Sequence, residues 1–292
     1  MIHRLNCRPP DKNKDMIHVV KKYVPFAFAL LLVISCKAQG PAETDENPAV
    51  FSENYKITKH FDEISNTHYF LTRINHKDKD GNLIKLRHAI ANKKEGETVR
   101  AFAIRVNSAL AFNASLGVDN LPPDTRQPVG IQIVNGTIVQ ELSTRVYTLG
   151  IKDNNELLAY QPGTRAQDIL NDGVKNALTA FVPLIEDHKP VSQNILKLVA
   201  NLAVRHPRQV IAQFDNLDLL FLSCGGRGYD GDGMTAEDLI RILSDLDVRF
   251  AFNLDGGGSV STVVGDQLIT RKIDGKGTQE RLRPNFLYIG KK

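Results

Sequence analysis

From Phe51 onward, apolar and polar residues alternate mostly at a period of two, the signature of half-buried strands. The pattern predicts strands over Thr67–Ile74, Leu83–Ala91, Val99–Val106, Val129–Val134, Thr137–Glu141, Val146–Ile151, Glu156–Tyr160 and Ala177–Val182. Further strands are predicted over Arg208–Phe214, Leu217–Ser223, Arg249–Leu254, Val260–Val264, Leu268–Arg271 and Asn285–Ile289. Asp80-Gly81, Asn135-Gly136 and Gly265-Asp266 supply the turns that hairpins need. Helical spacing is confined to two places. Thr164 reads as the cap of a helix running to Asn171, with Gly173 just past its end. Thr235-Ala236-Glu237-Asp238 resembles a capping box ahead of Leu239, Ile240, Leu243 and Leu246. Asn194–Ala203 fits helix or strand equally. The expectation is an α+β fold, a mostly antiparallel, strand-rich sheet core with about two flanking helices. A helix between Leu217–Ser223 and Arg249–Leu254 also permits one parallel crossover.

The 292 residues, 42% hydrophobic and 24% charged, suit one large or two modest domains, and no compositional break divides 51–292, so we read one. The net charge of +4 is too mild and too dispersed to favour nucleic acid. Near the N-terminus, Lys21-Lys22 precede an apolar run from Tyr23 to Ser35, too short for a bilayer and right for a signal-peptide core. The run ends in Val33-Ile34-Ser35-Cys36, which resembles a bacterial lipobox. We therefore expect residues 1–35 to be a signal peptide, with Met16 as an alternative start. Cys36 is then the lipidated first residue, and 36–50 a tether. An ordinary signal peptide with an unrelated cysteine is the other reading. The expected location is the envelope, as an exported lipoprotein on the periplasmic side or cell surface, membrane-anchored. Cys7 and Cys36 fall in that region, leaving Cys224 as the one thiol of the body. No intrachain disulfide is then expected, and with no local base beside it Cys224 reads as a small buried hydrophobe.

Phe252-Asn253-Leu254-Asp255-Gly256-Gly257-Gly258-Ser259 ends an apolar run on a carboxylate and then spends three glycines. No lysine follows Gly258, which excludes a P-loop. The sequel Val260-Ser261-Thr262-Val263-Val264 is β-branched, which argues against a dinucleotide fingerprint opening a helix. Two readings remain: a carboxylate at the rim of a site floored by bare backbone, or a hairpin with a solvated Asp.

Asn253-Leu254-Asp255-Gly256-Gly257-Gly258-Ser259 resembles the signature of the phosphodiester glycosidase family. Other segments resemble that family in order: His206-Pro207-Arg208-Gln209, the apolar strand ending in Cys224-Gly225-Gly226-Arg227, Gly233-Met234-Thr235, Glu280-Arg281 and Pro284-Asn285. Upstream, Val106-Asn107 with Ala111-Phe112 and the Gly130–Gly136 hairpin resemble it more loosely. The similarity runs from Val99 to Ile289 and is strongest over 206–289. Gly225 stands where the family has an Asp, Gln209 where it has a Thr, Val260 where it has a Ser, and Ser108-Ala109 where it has glycines.

The resemblance implies a hydrolase acting on a glycan or sugar-phosphate substrate, cutting at the anomeric carbon, with no cofactor. Asp255 is the expected catalytic carboxylate, as nucleophile or electrostatic partner of an oxocarbenium-like transition state, with Glu141 as a second acid. Arg208 and Arg227 are expected at the phosphodiester, because a planar guanidinium fork suits two phosphoryl oxygens. Asn107, Asn253, Gly256, Gly257, Gly258 and Ser259 complete the expected substrate-binding set. The alternative is a non-catalytic surface lipoprotein that binds a glycan or phosphoglycan. No metal is expected: the acidic turn Tyr229–Gly233 departs from calcium-loop spacing because Met234 takes the third ligand position. The histidines from His60 to His88 read as surface strand residues.

Overall fold

Among the described residues, alternation at period two produces an eight-stranded sheet, two five-stranded sheets and a two-stranded ribbon, with every interstrand ladder antiparallel. The computed structural model describes residues 50–119 and 125–291. The expected signal peptide, Cys36 and most of the tether lie outside the described residues.

The large sheet has Leu219–Cys224, Arg208–Gln213 and Phe250–Asn253 at its centre, and every residue of these strands is buried. One face carries Val210, Ala212, Leu220 and Leu222, covered by Leu239, Ile242 and Leu243 of the helix Ala236–Asp245. The other face carries Ile211, Phe221 and Phe252, which meet Phe112, Leu149, Ile151, Leu178 and Leu287 from the two smaller sheets. The main core therefore sits where three sheets converge. Leu219–Cys224 and Phe250–Asn253 both run antiparallel to the strand between them, Arg208–Gln213, and so run parallel to one another. The expected crossover is this one, made through the Ala236–Asp245 helix. Its capping box is complete, with Thr235 Oγ1 accepting from Asp238 N–H at 3.1 Å and Asp238 Oδ2 accepting from Thr235 N–H at 2.9 Å.

The fold is α+β as expected, with local differences. Val99–Arg105 is a helix, not a strand, because Val99, Phe102 and Ala103 share one buried face and Thr98 Oγ1 caps Ala101 N–H at 3.1 Å. Phe102 stacks on Phe286 with ring centroids 4.0 Å apart, fixing that helix to its sheet. The Thr164 helix begins one residue later, at Ala166, with Arg165 in the cap position. The undecided stretch resolves into a short helix, Gln193–Leu196, and a 3-10 turn, Ala200–Ala203. Tyr55–Asp62 is a strand that the alternation did not single out, since Lys59 interrupts the apolar positions Tyr55, Ile57 and Phe61, and Phe61 is exposed while Asp62 is buried.

Candidate active site

The three glycines each answer to a different neighbour. A methyl group on Gly256 would lie 2.5 Å from the Pro207 carbonyl oxygen. Gly257 has φ +62°, a left-handed backbone, and its open face lies against Arg227 Nη2, 3.1 Å from where a Cβ would stand. A methyl on Gly258 would collide with Asp274 Oδ1 and with Arg281 Nη2. The turn Gly257–Ser259 does not close a hairpin, because Phe250–Asn253 belongs to the large sheet and Thr262–Val264 to a small one. The solvated-hairpin reading of Asp255 is thereby set aside. The chain crosses between sheets here, and Asp255 sits at the crossing.

Asp255 is buried, and Arg283 Nη2 faces its Oδ2 at 2.7 Å, the two side chains being 6% and 3% exposed. Asp255 N–H donates to Ala114 O at 3.0 Å, and its carbonyl accepts from Asn113 Nδ2 at 2.6 Å. Asn113 Oδ1 accepts from Ser261 N–H at 3.0 Å, so one side chain ties both ends of the glycine turn. Arg283 Nη2 also donates to Ser115 O at 2.8 Å. Each ion of a buried pair forfeits its hydration, so the attraction between the two groups has to offset that cost. The result is a charged acid fixed beside bare backbone.

Arg281 donates to both oxygens of Asp274, from Nε at 2.6 Å and Nη2 at 2.8 Å, and its Nη1 lies 3.4 Å from Ser259 Oγ. Beneath Arg283, Ser115 Oγ accepts from Asn285 Nδ2 at 2.8 Å and from Gln132 Nε2 at 3.2 Å. Asn285 Nδ2 also reaches His88 Nε2 at 3.2 Å, and His88 Nδ1 meets Ile133 O at 3.0 Å. His88 is thus no surface residue; burial pulls its pKa down to about 4, and it is neutral near pH 7.

Of the residues expected in the site, the structure gathers Asp255, Gly256, Gly257, Gly258, Ser259 and Arg227 about one turn. It does not gather the rest. Arg208 lies opposite Cys224 in register, on the helix-covered face. Its Nε donates to Met234 O at 2.9 Å, and its Nη2 to Asn201 O at 2.6 Å and Val204 O at 2.7 Å. Burial lowers its pKa to about 10, so it stays charged, but it clamps backbone rather than facing the turn. Glu141 is exposed in another region, where its Oε1 accepts from Ala166 N–H at 2.8 Å and caps the Ala166–Asn171 helix. Asn107, with φ +50°, turns the chain out of the Val99–Arg105 helix at the far end of the Ser108–Asn113 strand. The asparagine at the site is Asn113, six residues on. Asn253 lies opposite Val210 and so faces the helix side, its Nδ2 donating to Leu254 O at 3.0 Å.

Gly225, which stands where the resemblance leads one to expect an Asp, has no room for any side chain: a methyl there would meet Tyr229 O and lie 2.6 Å from Asp230 Cβ. Cys224 is buried, with its pKa pushed up to about 12 by burial, which suits a small hydrophobe. Asp230 pairs with Arg271 at 3.4 Å, and Asp232 accepts from Asn66 at 3.2 Å. Asn113, Ser115 and Arg283 are absent from the expected set, and Arg281 figures there only within the family-like Glu280-Arg281, with no role. The visible signals were an asparagine closing the apolar run Leu110–Asn113 and two arginines flanking Leu282.

A strand-rich α+β fold with a buried acid and several guanidiniums about a glycine turn has the make-up of a site for an anionic substrate. The chain belongs to the phosphodiester glycosidase family, which it matches over residues 102–290. It is 31% identical over 187 residues to the SPbeta prophage-derived uncharacterized protein YomE of Bacillus subtilis (strain 168), a match covering 61% of this chain and 28% of that longer relative. Its fold is similar to the catalytic domain of zebrafish N-acetylglucosamine-1-phosphodiester alpha-N-acetylglucosaminidase, a structure described as auto-inhibited by its pro-peptide. That match has TM-score 0.63 and 18% identity over 82% of this chain and 83% of the other. A hypothetical protein from Synechocystis gives TM-score 0.65 and 15% identity, covering 84% of this chain and 64% of that one.

Proposed function

We propose that the chain is a hydrolase that cleaves sugar-1-phosphodiester linkages at the anomeric carbon, working in the cell envelope as an exported, lipid-anchored protein. The observation that carries the reading is Asp255, a buried carboxylate facing Arg283 at 2.7 Å beside three consecutive glycines. As the bond from C1 to the phosphate oxygen breaks, positive charge develops at C1, and a fixed carboxylate stabilises it. The bonding pair leaves with the phosphate, which departs as a monoester anion. Water supplies the oxygen that bonds to C1 and releases a proton. A phosphate leaves readily without a proton donor, which is consistent with the absence of a carboxylate at position 225.

The test is hydrolysis in 18O-water. Label at the sugar C1 hydroxyl supports the proposal, whereas label in the phosphate means attack at phosphorus and removes it. Gly225 favours one alternative, a glycan-binding protein without turnover, because its surroundings admit no acid there. Under that alternative a sugar-1-phosphodiester binds while no sugar is released. The lipid anchor is tested separately: Cys36→Ala should move the protein from membrane to soluble fractions.

A further inference from the structure

Arg281 and Asp274 are outside the expected substrate-binding set, yet they lie flush against Gly258 while Arg227 lies against Gly257. Consecutive Cα atoms are about 3.8 Å apart, so two guanidiniums stand over adjacent residues of one bare turn. Among the described residues Arg227 forms no ion pair and is exposed, whereas Arg281 is held bidentately by Asp274. We propose that Arg227 and Arg281 are the clamp for the substrate's phosphodiester anion, and that Asp274 holds its place in the unliganded chain. The inference rests on the reading that the glycine turn is the ligand site, and it names which cations hold the anion there.

The two acid–arginine pairs at this turn differ in kind. Asp255 and Arg283 are 6% and 3% exposed, almost enclosed and held by backbone bonds to Ala114 and Ser115. Asp274 and Arg281 are 27% and 33% exposed, open enough for one anion to replace another. Asp274 opens a four-residue turn, Asp274–Gly277, that buries no side chain of its own. Moving it therefore sacrifices little packing. Two oxygens of a phosphodiester present the same bite to a guanidinium fork as two carboxylate oxygens do. Arg227 has no carboxylate paired to it among the described residues, and its positive charge draws an anion in. Ser259, whose Oγ lies 3.4 Å from Arg281 Nη1, can donate to the same ligand. Exchange rather than simple entry follows: substrate binds as Asp274 withdraws, and Asp274 returns in competition with the phosphomonoester product.

The experiment is calorimetric titration of the purified protein with inorganic phosphate and with dimethyl phosphate at low salt, with thermal unfolding of each variant recorded beside it. Asp274→Asn should bind both anions about fivefold to tenfold more tightly than wild type. Arg281→Gln and Arg227→Gln should each weaken binding by about tenfold or more. In the wild type, phosphate should shift the side-chain Nε–H resonances of Arg227 and Arg281 together, a readout that does not depend on any variant folding. Unchanged affinity in Asp274→Asn, wild-type affinity in Arg281→Gln, or an unshifted Arg281 resonance each overturns the clamp. Clamp behaviour without turnover of any sugar-1-phosphodiester refutes the proposed hydrolase and leaves the anion site standing. Turnover without these effects does the reverse.

Discussion

Replacing Asp255 by Asn keeps the outline of the side chain and removes the charge that Arg283 faces. Two consequences separate. Turnover of a sugar-1-phosphodiester should fall by about a hundredfold or more, because the developing charge at C1 loses its fixed partner. Stability should fall by about 3 kcal/mol, because a buried guanidinium is left uncompensated. Urea unfolding reads the second effect, and Arg283→Met in the Asp255→Asn background should restore part of the stability with none of the turnover. Arg208 makes the opposite forecast. Its three bonds to Met234, Asn201 and Val204 join the helix side of the sheet, so Arg208→Gln should cost roughly 3 kcal/mol while leaving phosphate affinity within about twofold of wild type. A tenfold loss of phosphate affinity in that variant would return Arg208 to the site.

At the scale of elements, local signals were legible and long-range ones were not. Thr235 and Asp238 lie three residues apart, and their reciprocal bonds are written into one short segment. Thr235→Ala should lower stability by about 1 kcal/mol, read as a shift in the urea midpoint with an unchanged slope. Asp255 and its glycines were legible for the same reason: the chemistry lies in consecutive residues. Val99–Arg105 misled because Val99, Ala101 and Ala103 also fit an alternating pattern, and only Phe102 against Phe286 decides which face is inside. Asn113 reaches Asp255 across 142 positions, and nothing in either segment announces the other. Arg208 was misplaced by one pleat. Strand direction and residue number locate it near the turn, but its register opposite Cys224 sends it to the helix face.

Across the whole molecule, His88 links the two smaller sheets through Ile133 O and joins the site through Asn285, Ser115 and Arg283. With Nδ1–H donating to Ile133 O, the neutral ring leaves Nε2 bare, 3.2 Å from Asn285 Nδ2, whose two hydrogens go to Gln132 Oε1 at 2.7 Å and Ser115 Oγ at 2.8 Å. Protonation would set an N–H against an amide nitrogen that accepts poorly, at a side chain buried away from solvent. The folded pKa is about 4 against 6.5 for the unfolded chain, so between these values the unfolded state binds more protons. Stability is therefore complete above pH 6.5, declines as pH falls below it, and has lost about 3 kcal/mol from this group once pH passes below 4. Urea unfolding measured at intervals across that window should show the decline, and His88→Gln should flatten it at the price of a lower plateau near neutrality. Because Ser115 O also receives Arg283, anion affinity at the glycine turn should weaken over the same interval in wild type and much less in the variant. A decline of equal size in both proteins would assign the acid response to carboxylates elsewhere and uncouple the sheet junction from the site.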